Sequence, residues 1–377
     1  MEKIEMVDLR SQYRRLKSEL DPAVGEVMES AAFINGPAVG HFARELAEYL
    51  ETPFVIPCAN GTDALQVALM ALGLQPGDEV ITSNFTFIST VEVLVLLGIK
   101  PVLTDVDPLT FNLDPERVRQ AVTPATKAII PVHLFGQPAD MDPILDLAAE
   151  HGLFVIEDNA QSLGSWHTNS RGTRRRCGTL GHIGTTSFFP TKPLACYGDG
   201  GALMTTDPRL AEKIRMIVNH GARIKYYHDL IGVNSRLDTV QAAILRVNLR
   251  HLDESISRRE QVAAYYDQHL GGHPAIRIPA RSAHGTHVFH QYTLTILKGN
   301  RDKIRTGLLE AGIPSMIYYP VPLSLQKAFA FAGYREGDFP VSEDLCRRVL
   351  SLPIHTEMTE DQLDHICQTL LNLLNND

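Results

Sequence analysis

The stretch Gly184–Gly201, GTTSFFPTKPLACYGDGG, reads as a buried strand (Thr185–Phe189), a Pro-bounded turn carrying one lysine, Lys192, and a glycine-rich return into a second apolar run, Gly201–Thr205. Lysine in apolar surroundings is costly unless its amine is neutral or chemically used. Burial lowers its pKa, and the neutral amine is the form that condenses with a carbonyl. Ser187, five residues earlier, stands where a strand end offers a hydroxyl to a phosphate. The plain alternative is a surface lysine in a Pro/Gly loop, and the rest of the chain weighs between the two.

Upstream, short apolar runs alternate with helical patterns. Strands are expected at Phe54–Cys58, Glu79–Ser83, Pro101–Val106, Ala128–Val132 and Leu153–Glu157, with helices Asp63–Leu72, Phe87–Leu97 and Met141–Glu150 between them and a capped start near Asp114. Such alternation predicts an α/β fold with a mainly parallel sheet covered by helices, and ligands at the carboxyl ends of its strands. Before it lie a helical pattern from Leu16 to Met28, with Pro22 read as a first-turn residue, and an amphipathic helix Val39–Leu50. After it come helices Leu210–Val218 and Leu237–Leu252. The character then changes to helix Arg258–His269, strand His287–Ile296, helix Arg301–Glu310, strand Ile313–Tyr319 and helix Glu360–Leu374. The expected division is a large domain, 1–250, and a small α+β domain, 251–377. The basic run RGTRRRC, Arg171–Cys177, reads as a solvated loop.

The chain has 377 residues, 44% of them hydrophobic and 21% charged, which suits a large core and argues against disorder. A net charge of -9 counts against a nucleic-acid partner. The five scattered cysteines form no CxxC pair, so no metal site is expected and reduced thiols fit. The first twenty residues lack an apolar signal core, and the longest apolar runs are too short for a bilayer. A soluble, cytoplasmic protein with no membrane partner is expected.

Three clusters fall at expected strand ends. In CANGTDAL, Cys58–Leu65, the N–H groups of Gly61, Thr62 and Asp63 at a helix start suit an anion, although an ordinary N-cap explains them as well. In VIEDNAQSLG, Val155–Gly164, the adjacent Glu157 and Asp158 point to opposite sides of a strand, so one faces the site. A buried carboxylate needs a cation or strong hydrogen bonds, which a protonated ring nitrogen or a local cap would equally supply. Gln161 is placed to reach a ring oxygen. With Lys192 these pieces match the requirements of pyridoxal 5'-phosphate: an amine for its aldehyde, a carboxylate for its nitrogen, an anion nest for its phosphate. Phe85 and Phe87 are candidates for an aromatic lid, or plain core.

These segments, with GDEVITSNFTFIST, PVHLFGQPADM and GVNSRLDTVQAA, resemble the pyridoxal phosphate-dependent sugar aminotransferases of the DegT/StrS type over nearly the whole chain. The resemblance implies the fold type I aminotransferase architecture and a homodimer with shared active sites. It places Lys192 as the lysine that binds the cofactor and Asp158 at its ring nitrogen. Gln161 falls at the ring hydroxyl, Phe87 rather than Phe85 on the ring, and Gly61, Thr62 and Ser187 at the phosphate. Asn234 matches an asparagine that reaches the phosphate from the partner subunit. Arg223, Lys225, Tyr318 and Tyr319 are implied sugar contacts. Asn159, where the family often has Ala, and the Arg-rich run depart from the pattern.

The implied reaction moves an amino group from glutamate to a nucleotide-linked keto-sugar by a ping-pong route, for surface polysaccharide such as lipopolysaccharide. The motifs look closest to enzymes aminating the 3-position of a UDP-linked N-acetylated hexuronate, with dTDP- or GDP-linked keto-deoxysugars as the alternative. Three rivals are a pyridoxal phosphate enzyme of another reaction type, a non-catalytic regulator binding cofactor or sugar nucleotide, and a nicotinamide enzyme. The last lacks a GxGxxG after the first strand.

Overall fold

The computed structural model describes residues 3–376. Two helices open it, α1 (Leu9–Ser30) and α2 (Pro37–Leu50). Strands and helices then alternate: β1 (Phe54–Cys58), α3 (Gly61–Leu72), β2 (Glu79–Ser83), α4 (Ser89–Leu96), β3 (Lys100–Thr104), α5 (Pro115–Ala121), β4 (Thr126–Ile130), α6 (Met141–His151) and β5 (Phe154–Asp158). A hairpin of β6 (Trp166–Thr168) and β7 (Arg174–Arg176) precedes β8 (Ile183–Ser187), β9 (Gly201–Thr205) and α7 (Pro208–Ile217). A second hairpin, β10 (Ala222–Ile224) and β11 (Tyr227–His228), leads to α8 (Thr239–Arg250) and α9 (Leu252–Leu270). The last third holds β12 (Ile276–Arg277), β13 (Tyr292–Ile296), α10 (Arg301–Glu310), α11 (Pro340–Arg348), β14 (Val349–Leu352) and α12 (Glu360–Asn376).

Seven strands form one sheet in the order β1-β9-β8-β5-β4-β2-β3, and only β9 runs against its neighbours. Period-two alternation sends Val80, Ala128, Ile130 and Ile156 to one face, against α3, α4 and α7. It sends Ile81, Ile129 and Val155 to the other, against α5 and α6. Both faces are therefore buried, as a parallel sheet requires. Each Ile or Leu side chain so buried stabilises the fold by about 1.5–3 kcal/mol. The α/β architecture read from the alternation is the one observed. A smaller antiparallel sheet, β12-β13-β14, packs with α9, α10 and α12 around Tyr266, Tyr292 and Leu294.

Several elements differ from expectation. Helix α1 begins at Leu9, so Pro22 lies in its interior rather than its first turn. Proline there forfeits one helical hydrogen bond. The helix is held instead by Leu16 and Leu20, packed on Ile244 and Val247 of α8. The Arg-rich run is not a free loop but strand β7. Its Arg174 and Arg176 guanidiniums lie 4.4 and 3.9 Å from the Trp166 ring centroid. Ile313–Tyr319 is not a strand and makes one bridge, Met316 to Ser351. Pro314 within it has no N–H to give a ladder. Of His287–Ile296 only Tyr292–Ile296 pairs in the sheet. Residues 287–291 instead join the turn after β4, where Val288 N–H donates to Gly136 O (2.8 Å) and Gln291 N–H to Phe135 O (3.2 Å). Gly136 permits this approach: its φ is +115°, and a Cβ would sit 2.8 Å from the backbone nitrogens of Phe289 and His290.

Among the described residues no helix is long and apolar enough to cross a membrane, and no cluster of His, Cys, Asp and Glu is arranged to hold a metal ion.

Candidate active site

The carboxyl ends of β1, β2, β5 and β8 open into a cavity of about 670 Å³. Gly61, Thr62, Phe87, Asp158, Gln161, Ser187, Lys192, Tyr318 and Tyr319, all singled out from sequence, line it. The turn after β8 carries Lys192, whose own N–H donates to Phe189 O (2.8 Å) and closes the turn. Part of Lys192 stays open to the cavity, but its amine is walled off from bulk water. Burial brings its pKa down to about 8, against a smaller opposing pull from the Asp158 charge.

Glu157 and Asp158 do point opposite ways. Asp158 faces the cavity and accepts hydrogen bonds from Thr90 Oγ1 (2.8 Å) and Ala160 N–H (3.2 Å). Glu157 is wholly buried behind the strand. It accepts from His133 Nε2 (2.8 Å) and from the N–H groups of Gly178, Leu180 and Gly181 (2.6–2.7 Å). Burial alone would raise its pKa. The bond and charge of His133, with the Gly181 and Gly178 N–H groups, bring it below the usual value.

At the start of α3 the cap is Asn60, whose Oδ1 accepts from Asp63 N–H (2.8 Å). The Asp63 N–H is thus committed, a correction to the sequence reading, and those of Gly61 and Thr62 remain for an anion. Ser187 is pressed against this turn: a Cβ on Gly61 would lie 2.7 Å from the Ser187 Cβ. Thr62 Oγ1 pairs with Ser89 Oγ at 2.8 Å, tying α3 to α4. Gln161 accepts from Phe135 N–H (2.8 Å) and donates to Tyr319 Oη (3.2 Å). Phe85 is 1% exposed and packs on Phe111, Phe135 and Tyr319, so it is core. Phe87 is 55% exposed and stands in the cavity wall.

Three residues from sequence are not in that wall. Asn234 bridges Asn219 and lines a neighbouring groove that shares Asn60 and Asp199 with the cavity. Arg223 and Lys225 project from the β10–β11 hairpin, where Arg223 Nη2 meets Glu212 at 2.8 Å. Sequence reading missed Thr86, Thr90 and His290. Thr86 and Thr90 flank Phe87 in a segment that had been marked, whereas His290 lies in no motif and arrives through the 287–291 segment.

The residues present fit pyridoxal phosphate. They supply a desolvated lysine, a fixed carboxylate, and free N–H groups beside a serine. Thr86 Oγ1 and His290 Nδ1, both on cavity-lining residues, are buried polar atoms with no partner among the described residues.

Comparison with known proteins agrees. Residues 14–371 match the DegT/DnrJ/EryC1/StrS aminotransferase family. The chain is 46% identical to a "Pleiotropic regulatory protein" of Geobacillus stearothermophilus, over 97% of each chain. It is 44% identical to the UDP-2-acetamido-2-deoxy-3-oxo-D-glucuronate aminotransferase of Pseudomonas aeruginosa, over 98% of this chain and all of that one. The crystal structure of a DegT DnrJ EryC1 StrS aminotransferase from Brucella abortus superposes with a TM-score of 0.93 at 40% identity, over 98% of this chain and 99% of that one. The chain belongs to the DegT/DnrJ/EryC1/StrS aminotransferase family and is a pyridoxal phosphate-dependent sugar aminotransferase.

Proposed function

We propose that the enzyme transfers the amino group of glutamate to a UDP-linked 2-acetamido-3-keto-hexuronate, in two half-reactions that share one cavity. The observation that carries this is the full-length, 44% identity to the Pseudomonas aeruginosa enzyme of that name. Among the described residues the cavity wall of one chain holds a single Lys or Arg side chain, Lys192, beside Asp63, Asp158 and Asp199. A cation for the carboxylates of glutamate and of a hexuronate therefore has to reach in from elsewhere. The exposed β10–β11 hairpin of a second copy, bearing Arg223 and Lys225, is our source for it. Asn234 of a second copy would join the phosphate site in the same way. We infer as well that the chain divides near residue 250, into 1–250 and 251–377, since Tyr266, Tyr292 and Leu294 belong to an apolar cluster separate from those on the large sheet.

When bound, pyridoxal phosphate supplies an electron sink that lets a proton leave carbon. Lys192 Nζ takes that proton as base and returns it as acid. Its lowered pKa lets it do both near neutrality. Asp158 would hold the positive charge on the ring nitrogen. Gly61 and Thr62 N–H groups and the Ser187 hydroxyl would hold the phosphate, Phe87 would cover the ring, and the second N–H of Gln161 Nε2 is available to the ring hydroxyl. Tyr318 and Tyr319, the latter bonded to Gln161, would meet the sugar.

The test is direct. Glutamate added to the cofactor-loaded enzyme should bleach its visible absorbance and release one equivalent of 2-oxoglutarate per site. The UDP-linked keto-hexuronate should then restore the absorbance and appear aminated by mass spectrometry. Relatives named for dTDP- and GDP-linked sugars, at 41% and 37% identity, favour a second reading. Turnover with a dTDP- or GDP-linked keto-deoxysugar, and none with the UDP-hexuronate, would select it.

A further inference from the structure

His290 lines the cavity and has no task in the scheme above. Its backbone is pinned on both sides by the bonds from Val288 and Gln291 to the turn after β4. The residue is 6% exposed, its Nδ1 is buried, and no ring atom bonds to a described residue. A buried polar nitrogen left so is unusual and asks for a catalytic partner or a ligand.

Two cations bear on this ring. One is Lys192, in the same cavity. The other is Arg259, whose Nη1 donates to the carbonyls of Phe289 (3.2 Å) and Ile354 (2.9 Å) and which has no carboxylate partner among the described residues. Burial, with both charges, keeps the imidazole neutral well below its ordinary pKa. A neutral imidazole offers one acceptor nitrogen. Lys192 Nζ, for its part, makes no hydrogen bond to any described residue. Lys192 and His290, neither with a side-chain hydrogen bond to a described residue, thus line one cavity. The other titratable groups facing the cavity are Asp63, Asp158, Asp199, Tyr318 and Tyr319.

We propose that His290 is a positioning residue for Lys192: whenever the amine is free of the cofactor, the imidazole accepts a hydrogen bond from Lys192 Nζ and aims it at the reacting carbon. The proton stays on Nζ, and His290 takes none. This rests on the assignment of Lys192 made above.

The experiment uses His290→Phe and His290→Gln, with Lys192→Ala as control. In apoenzyme, Lys192 is titrated by competitive labelling of its amine, read by mass spectrometry. Loss of the acceptor in His290→Phe should lower the Lys192 midpoint by about one unit. In loaded enzyme kcat should fall about tenfold to a hundredfold with KM for glutamate held within about twofold. His290→Gln, which keeps an acceptor, should recover most of both. A Lys192 midpoint unchanged in His290→Phe, or a kcat loss that His290→Gln does not relieve, overturns the proposal. An inactive Lys192→Ala beside a wild-type His290→Phe sinks the His290 role alone. An active Lys192→Ala sinks the Lys192 assignment on which it rests.

Discussion

Thr90 Oγ1 donates a 2.8 Å hydrogen bond to Asp158 Oδ2, joining the start of α4 to the end of β5 across 68 positions of sequence. Ala160 N–H holds the other carboxylate oxygen, so the plane of the group is fixed. A hydrogen bond to a charged group contributes about 1.5–3 kcal/mol. Thr90→Val keeps the shape and removes the bond. It should leave folding and cofactor content unchanged, lower kcat about tenfold to a hundredfold, and shift the pH dependence of the bound cofactor's absorbance. Spectra and steady-state rates across pH check it.

Glu157 provides a separate test of structure. All its acceptor capacity is spent on His133 and the 178–181 turn, which also lies under β8. Removing the charge leaves buried donors unmet, at about 3–5 kcal/mol, so Glu157→Gln should unfold at distinctly lower urea at pH 7. The sign with pH follows from linkage. The folded pKa is depressed, so the stabilisation is present above the unfolded value of about 4.5 and is lost as pH falls through the lower folded value. The gap between wild type and Glu157→Gln should therefore hold at pH 7 and narrow progressively below about 4.5, as denaturation at a series of pH values from 7 downward would show.

Lys192 should titrate near 8 in apoenzyme rather than at its ordinary 10.5. Because folding lowers its pKa, the unfolded chain binds the proton more readily between those values, and apoenzyme stability should gain from this group as pH rises through that window. Labelling of the Lys192 amine against pH, read by mass spectrometry, locates the midpoint.

How much of this was legible in sequence depends on what kind of contact places a residue. The sheet was legible because both its faces are buried, which prints runs such as Val80–Ile81 and Ala128–Ile130 directly into the chain. Lys192, Asp158 and the Gly61 turn were legible because strand ends collect ligands in such sheets. The 313–352 region was not. Its short helices, β14 and the Tyr318–Tyr319 segment are held by tertiary contacts to Phe85, Asn84 and Asp105 rather than by a period of their own. His290 was hidden for the same reason, since its place in the cavity is fixed by bonds to a turn some 155 residues upstream. Arg174–Arg176 misled because three adjacent cations look solvated, whereas two of them stack on Trp166.

Gly61 gives a steric prediction. A methyl group there would come within 2.7 Å of the Ser187 Cβ, 3.3 Å of its Cα and 3.3 Å of its Oγ. The nearest of these is a strand residue rather than a flexible tip, so relief requires parting α3 from β8. Gly61→Ala should lose about 1–3 kcal/mol of stability and weaken pyridoxal phosphate binding more than it slows the loaded enzyme. Equilibrium dialysis of the cofactor with a melting curve distinguishes that from a purely catalytic defect.

The last prediction concerns where the missing cation comes from. Among the described residues one chain lines its cavity with Lys192 as the only Lys or Arg, while Arg223 and Lys225 stand on an exposed hairpin beside Tyr226 and Tyr227, 80% and 70% exposed. If a second copy supplies them, Lys192→Ala and the double variant Arg223→Ala, Lys225→Ala each inactivate both sites of their own dimers. Mixed and re-equilibrated, half of the dimers would pair the two variants, and each would hold one intact site, with Lys192 from one chain and the hairpin from the other. About a quarter of wild-type activity should return on mixing. Failure to recover any, with exchange verified by mass, would assign hairpin and lysine to the same chain's site, and full activity of the double variant alone would assign the cation to another element.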